Sequence, residues 1–515
     1  MAYLPNLATQ PAQIFFFGPT DSQLHHFLLE THQLVEFAPE ILDRIQADLQ
    51  AHALKKKIVR EADRRFQESH TADLPALKIE WREVDPSRMR LEIGRPRLEP
   101  YVVCLFLMLR GFVGGCKDQN ARLLLEESIT LHWWLGKLGL SLPPASTLSE
   151  NLNAVSNATR QFLRRAQLGM ILGEGLDDFQ ELYLDSTATA ANSAWPTDSG
   201  LVTKLVERMC RAGSKLEELG LPSWNSAGLK ELQSDLRSLH REIGFCSGKA
   251  KSQSRHRKLY YQLLRRGRRA CKRFGRQIDQ MEAQAAGRSD WPPSQRLLVE
   301  ELLGRMREDV ALVGQVAAAC ERRLFREEKV PSSEKVISLS DPTAAFIVKG
   351  GWEPVIGYRP QLGRSRQGFV SALLVPLGNA ADSGQLIEVV LDHWEGSGRL
   401  PRLVSSDDGY SSQASRQDLL ASGVSIVSIS GAKGKKITPP EHWNSAEYRA
   451  ARAHRSAVES LVFTLKDGYG FGELKRRHLD NVQAELLEKV LAYNVCQSLR
   501  VRQRRQAVSV GAAAA

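Results

Sequence analysis

Apolar positions recur along this chain with two different periods, and the switches between them divide it. From Leu34 to Arg65 they return every three or four residues, the spacing of one helix face, and Leu77 to Arg90 reads as extended. Gly94-Arg95-Pro96-Arg97 forms a basic linker. A second helical block runs from Tyr101 to about Leu168, punctuated by Gly114-Gly115 and by Leu142 to Thr147, where Ser146 or Thr147 is placed to cap a helix beginning near Leu148. Glu181 to Thr187 then reads as a short strand, and Asp198 or Ser199 as a helix start.

From about 200 to 328 the period is helical again, with one clear break at Ala286 to Pro293. Before the break, Tyr260, Leu264, Gly267, Cys271, Phe274, Ile278 and Met281 recur at alternating spacings of 4 and 3. After it, Val299, Leu303, Met306, Val310, Val313, Ala317, Cys320 and Leu324 do the same. Two heptad seams around one tight break predict an antiparallel helical hairpin whose seam residues are core.

Beyond 335 the pattern is mixed. Lys335 to Leu339, Val355 to Tyr358 and Phe369 to Val375 read as strands, and Asp382 to Trp394 as a helix with Asp382 and Gln385 spaced like a capping box. A buried strand, Arg402 to Ser406, runs into Asp407-Asp408-Gly409-Tyr410. A helix at about 412–421, a strand from Val424 to Ile429, a Gly/Lys loop from Gly431 to Lys436, a long helix at about 442–467 and a last helix at about 482–504 follow, before the low-complexity tail AVSVGAAAA. The Gly/Lys loop lacks the spacing and the final Ser/Thr of a nucleotide-binding phosphate loop.

Charge sharpens this picture. The 515 residues carry 70 Lys+Arg against 59 Asp+Glu, a net of +11. Twelve of the cations, and no acid, fall between Lys249 and Arg276, and outside that segment 58 bases face 59 acids. The excess is therefore local, and a block of this kind fits a polyanion such as nucleic-acid phosphate, or else a solvated helix face. The longest apolar run, Tyr101 to Leu109, is nine residues, against roughly 20 for a membrane span, and the first ten residues do not form a secretory signal. Seven cysteines, none closer than twelve residues to the next, exclude a Cys-x-x-Cys zinc site and fit a reducing cytoplasmic compartment.

From Glu181 onward the order is strand with an acid, helical insertion, two strands, helix, strand ending in an acid, helix, strand, helix. Without the insertion this order resembles the ribonuclease H-like α/β fold. The motifs carry the resemblance further. Tyr183-Leu184-Asp185-Ser186-Thr187 with Trp195-Pro196-Thr197-Asp198-Ser199, then Asp407-Asp408-Gly409-Tyr410-Ser411, then Arg455, three residues, Glu459, six residues and Lys466 resemble the three motifs of DDE-type insertion-sequence transposases. The Asp-x-Gly-Tyr alignment selects Asp407 over Asp408. At 100° per residue, Arg455, Glu459 and Lys466 lie within about 40° of one helix face. Gly94 to Asn151, with its Pro144-Ala145-Ser146-Thr147-Leu148-Ser149 turn, is similar to the all-helical domain preceding the catalytic domain in that group. In this chain Arg452 stands where the third motif often has Tyr, and the nearest tyrosine is Tyr448.

The resemblance implies Asp185, Asp407 and Glu459 as catalytic residues and as ligands of two Mg²⁺ ions, with Mn²⁺ as a substitute, all three within reach of a metal pair and separated by not far beyond about 8 Å. It implies that Arg455 and Lys466 clamp DNA phosphates. For the basic segment, Arg255, Arg257, Lys258, Arg265, Arg266, Arg268, Arg269, Lys272 and Arg273 are the DNA-contact candidates. The expected organisation is a helical region at 1–90, a helical domain at 91–170, the catalytic domain at 171–200 and 331–470, the helical insertion at 201–330 and a C-terminal helix and tail at 471–515. The expected partners are terminal inverted repeats and target DNA, with at least a dimer of the protein on DNA, near the bacterial nucleoid and away from membranes. A non-catalytic DNA-binding descendant of a transposase is the alternative, and a helical scaffold protein would leave the three motifs unexplained. His454 reads as solvated, and Trp352 as core rather than as a platform for an unpaired base.

Overall fold

A computed structural model describes residues 22–69, 98–113, 127–193, 195–222, 227–246, 253–331, 334–348 and 354–514. The extended stretch at Leu77, the linker at Gly94, the glycines at Gly114-Gly115 and Trp352 lie outside these residues. The chain forms two compact units, one holding described residues 22–50, 98–193 and 343–514, the other 51–69 and 195–342. It is a mixed α/β protein, mostly helical, with a central sheet. Among the described residues no helix is long and apolar enough to cross a membrane.

The first unit is built around a five-stranded sheet. Its strands are β1 (Glu181–Ser186), β5 (Gln361–Ser365), β6 (Val370–Leu374), β7 (Leu403–Ser406) and β8 (Ile426–Ile429), in the order β6-β5-β1-β7-β8. The remaining strands, β2 (Thr189–Ala190), β3 (Ala345–Ile347) and β4 (Val355–Tyr358), form a small sheet of order β2-β4-β3. β1 pairs antiparallel with β5 and parallel with β7, placing Tyr183 level with Arg364 and Ser405. Alternation along β1 explains the layers. Leu182 and Leu184 turn to one face, where with Val404 and Val427 they pack on Leu386, Val389 and Val390 of the helix Leu386–Ser397. Tyr183 and Asp185 turn to the other face, crossed by the helix Ala446–Gly468. There Ser405 Oγ donates to Ala451 O (3.3 Å), and the His454 ring meets Tyr183 edge to face with centroids 4.7 Å apart.

β5 was not evident from the sequence, because Gln-Leu-Gly-Arg-Ser lacks an apolar period. It is nonetheless central, and its polar Gln361 and Ser365 are fully buried. Lys335 to Leu339 is not a strand. Val336 and Leu339 instead pack against the helical core of the second unit. Gly431–Ile437 is a helix rather than a loop, because Asp408 Oδ1 accepts from the backbone N–H of Lys433 and Gly434, both at 2.9 Å, and so caps its first turn. Asp382 and Gln385 form no capping box. Asp382 opens a single 3₁₀ turn, Asp382–Gly384, and its carboxylate is used elsewhere. Pro144, not Ser146 or Thr147, is the N-cap of Ala145–Ala154, its ring holding φ at −58°. The C-terminal helix, Leu479–Ala514, runs through most of the tail.

Among the described residues the second unit contains the two heptad helices, Gln253–Ala286 and Pro293–Phe325, packed on each other, with Asp198–Glu218, Ala227–Cys246 and the end of Glu40–Ser69 beside them. The chain breaks first at Gly220, whose φ of +95° ends Asp198–Glu218. The seam residues Tyr260, Leu264, Phe274, Ile278, Met281, Val299, Leu303, Met306, Val313, Ala317 and Cys320 are all buried in its core.

In the first unit a charged node joins three helices. Glu488, on the C-terminal helix and 1% exposed, accepts from Arg110 of Pro100–Phe112 (2.6 and 2.8 Å) and from Arg160 of Asn157–Gly173 (2.8 Å). Arg476 completes the node at 2.7 Å. Burial alone would raise this carboxyl, but the guanidiniums of Arg110, Arg476 and Arg160 together hold it well below the usual glutamate range. Because the folded-state pKa is depressed, the stabilisation is present above the ordinary glutamate pKa and is lost only as pH falls toward the depressed value. Glu488→Gln strands one buried and two half-buried cations and is expected to cost about 3–5 kcal/mol. Urea unfolding checks this, and an unchanged midpoint would contradict it.

Candidate active site

The parallel register of β1 and β7 sets the site. Tyr183 is level with Ser405, so Asp185 and Asp407, each two residues further on, stand at neighbouring strand ends on the same face. Asp185 Oδ1 accepts from the N–H of Ser186 at 2.7 Å. Asp407 follows β7 directly and caps the 3₁₀ turn Asp408–Tyr410, accepting from Gly409 N at 3.0 Å. Asp408 points away into the helix Gly431–Ile437. Gly431, at φ +97°, is required there, since a Cβ would lie 2.5 Å from the Asp408 carboxyl carbon.

A third aspartate shares this corner. A Cβ placed on Gly409 would lie 3.0 Å from Asp382 Oδ2 and 3.0 Å from Asp407 Oδ1, so the two carboxylates flank the same turn. Asp382 is buried. It pairs with Arg359 and accepts from Gln361 Nε2 at 3.1 Å. Gln361 Oε1 in turn accepts from the buried Tyr410 hydroxyl. Burial first, and then the charges of Asp382, Asp185 and Asp407, hold the Tyr410 phenol well above its ordinary range. No motif marked Arg359 or Gln361, and Asp382 was marked only by its helix-cap spacing to Gln385. The one available signal was Tyr410, whose hydroxyl needs a partner once its ring is buried.

Glu459 lies on the helix Ala446–Gly468, and its side chain is 58% exposed in an ion pair with Arg455 at 2.8 Å. Lys466 is exposed on the same helix. Among the described residues no group of three or more His, Cys, Asp or Glu side chains stands where it could hold a metal ion. The register brings Asp185 and Asp407 to neighbouring strand ends, while Glu459 is exposed and paired with Arg455. Tyr448 is a structural residue. Its hydroxyl accepts from Ile429 N at 2.9 Å and bonds Thr438 Oγ1 at 3.0 Å. Arg452 stacks on Trp443 with its guanidinium 3.9 Å from the ring centroid. His454 is not solvated. It is half-buried against Tyr183, and burial lowers its pKa.

In the second unit, the basic helix Gln253–Ala286 sorts its cations. Arg257 pairs with Glu327 (2.5 Å), Arg266 with Asp235 (3.4 Å) and Arg268 with Glu321 (2.6 Å), and Arg273 donates to Gly228 O (3.3 Å). Lys258, Arg265, Arg269, Lys272 and Arg276 are exposed and form no ion pair among the described residues. Spaced 7, 4, 3 and 4 residues apart, they lie within about 60° of arc on one helix face. Arg255 is exposed one turn before them.

Residues 355–495 match the family model of the transposase DDE domain. The matched stretch runs from β4 into the C-terminal helix, and the match supports a DDE-type transposase. Asp382, Asp407, Arg455, Glu459 and Lys466 fall within the matched residues, whereas Asp185 precedes them. No curated protein and no solved structure matches the chain.

The capping role of Asp408 can be measured directly. Asp408→Ala is expected to cost about 1–2 kcal/mol in urea unfolding, the value of a lost cap. A change below about 0.3 kcal/mol would show that the helix Gly431–Ile437 does not depend on it.

Proposed function

We propose that this chain is a transposase that binds the terminal inverted repeats of a mobile element, hydrolyses a phosphodiester at each end and joins the freed 3′-hydroxyls to target DNA. The observation that carries the reading is the placement of Asp185 and Asp407 at the adjacent ends of two parallel strands. The strand order, with β1 central, β5 antiparallel both to it and to the edge strand β6 on one side, and β7 and β8 parallel on the other, supports a ribonuclease H-like catalytic domain.

The donor chemistry fits a hard divalent cation, since carboxylate oxygens with water are what Mg²⁺ or Mn²⁺ prefers. In this reading Asp185 and Asp407 hold the ions, two in number, and Glu459 completes the set. Bound metal would supply activation of the attacking oxygen and stabilisation of the leaving one. The protein's own part is to place the acids on a rigid sheet and to position DNA. Arg455 serves both ends. Exposed i,i+4 pairs are worth only about 0.3–0.5 kcal/mol, so a DNA phosphate that draws Arg455 away releases Glu459 at little cost. Lys466, two turns further along, meets the same backbone. The unpaired stripe from Lys258 to Arg276 spans about 27 Å at 1.5 Å per residue and offers five cations to a duplex backbone. Work on two element ends implies at least a dimer on DNA.

A non-catalytic DNA-binding descendant is the competing reading, favoured by the pairing of Glu459 with Arg455 and by the lack, among the described residues, of three acids grouped to hold a metal. Cleavage decides between them. With Mg²⁺ and element-end DNA, the wild type is expected to nick and Asp185→Asn or Asp407→Asn to lose at least about 10³-fold of that rate while still binding the DNA. Cleavage that survives both substitutions would refute the site, and a wild type that binds but never nicks would favour the descendant.

Replacing Lys258, Arg265, Arg269, Lys272 and Arg276 by Gln should flatten the slope of log affinity against log salt by about 4.5, at roughly 0.9 per phosphate contact. The same change at Arg257, Arg266 and Arg268 should alter it less. Equal slopes for all three proteins would exclude the stripe as a DNA contact.

A further inference from the structure

The near-neutral balance outside Lys249 to Arg276 hides a second cationic surface, because the fold of the second unit sorts charge by side. The helices Asp198–Glu218 and Ala227–Cys246 lie against each other, with Ser199 Oγ and His240 Nδ1 bonded at 2.9 Å near one end. Between them is a cleft of about 550 Å³ whose cations are Lys204, Arg237 and Arg241 and whose acid is Glu207. A smaller cleft between the same helices, about 280 Å³, sets Arg211, Lys215 and Lys230 against Glu218. Both acids are already matched: Glu207 pairs with Arg237 at 2.5 Å and Glu218 with Lys215 at 2.9 Å. Lys204, Arg211, Lys230 and Arg241 are left over. All four are exposed and form no ion pair among the described residues.

We propose that this groove binds a stretch of DNA backbone, as a phosphate-binding surface separate from the stripe on Gln253–Ala286. The inference rests on the reading of the chain as a DNA-binding protein but not on the stripe. Spacing fits the partner. At 1.5 Å per residue, Lys204 and Arg211 stand about 10 Å apart on one wall, and Lys230 and Arg241 about 16 Å apart on the other. A DNA strand carries a phosphate every 3.4 Å or so, so each wall spans about three to five of them. The chemistry fits as well. The larger cleft offers no large apolar side chain, and Ser234 and His240 accompany its charges, so it presents hydrogen-bonding groups suited to phosphate and none of the apolar anchors that hold a protein partner. Ala227–Cys246 stands between the two surfaces. Its Asp235 and Gly228 meet Arg266 and Arg273 of the basic helix, whereas Arg237, about 200° around from Asp235, meets Glu207 on the other side. A duplex along the stripe therefore leaves the groove open to a second stretch of backbone.

Two measurements on the full chain with a 30-base-pair duplex test this. In the wild type, lysine acetylation followed by mass spectrometry is expected to show Lys204 and Lys230 protected at least threefold by the duplex, with the exposed Lys329 unchanged as control. In the variant with Lys204, Arg211, Lys230 and Arg241 replaced by Gln, the slope of log affinity against log salt should fall by about 3.6, at roughly 0.9 per phosphate contact. A control variant with Arg305, Arg307, Arg322 and Arg326 replaced by Gln loses the same charge from the same unit, but from residues already paired with acids, and its slope should fall by less than about 1. Lysines that stay equally reactive, or a groove variant no different from the control, overturn the proposal, and the footprint alone decides if circular dichroism shows the groove variant unfolded. Loss of slope in the stripe variant with none in the groove variant would leave the stripe as a DNA contact and remove the groove. A wild type that does not bind the duplex at all identifies the other failure: the DNA-binding reading falls, and this inference with it.

Discussion

The parallel pairing of β1 with β7 is the constraint on which the site depends. These strands are separated by more than two hundred residues, including four helices of the second unit, and still meet in a register that sets Tyr183 level with Ser405. That register places two aspartates side by side. A slip of one residue would turn one of them to the apolar face, among Leu184, Val404 and Val390. Burial of Leu182 and Leu184 on that face is therefore what aims Asp185 at the other.

Buried charge does the rest of the positioning. Glu488 gathers Arg110, Arg160 and Arg476 from separate segments, and Arg164 of the helix Asn157–Gly173 reaches Asp392 at 2.6 Å on the helix beneath the sheet. Such pairs gain little net stability over a well-packed apolar core, but they are costly to break and accept few alternative partners. A smaller ion pair of the same kind joins the half-buried Arg359 to the buried Asp382. In both places an acid is held by bases that would otherwise be stranded. In the helical insertion the arginines on the flanks of the basic helix are spent on acids of neighbouring helices, and the charge left over is confined to one stripe.

Much of the scaffold was legible in the sequence because periodicity reports burial. The heptad residues of the two long helices, the strands at Glu181, Val355 and Leu403, and the break at Ala286 to Pro293 all follow from it. What was not legible depended on partners distant in the chain. Gln361 and Ser365 look like loop residues until the strands on either side bury them. Gly431 to Lys436 has poor helix propensity and is helical because Asp408, more than twenty residues earlier, caps it. The candidate site divides in the same way. Asp185 and Asp407 were marked by motif spacing, and their adjacency is a product of strand register. Asp382 carried only a helix-cap spacing to Gln385, because its actual contacts arise where Arg359, Gln361 and Tyr410 meet. Glu459 was marked by its helix face, yet that face also carries Arg455, one turn away, with which it pairs.

The central claim is that Asp185 and Asp407 hold the metal used in DNA cleavage. The most direct measurement is a crystal structure of the full chain with element-end DNA and Mn²⁺, with manganese located by its anomalous scattering. The account predicts manganese within about 2.3 Å of a carboxylate oxygen from both Asp185 and Asp407, with Glu459 released from Arg455 and turned toward the ions. Manganese bound elsewhere, or none at this corner with DNA in place, would contradict it.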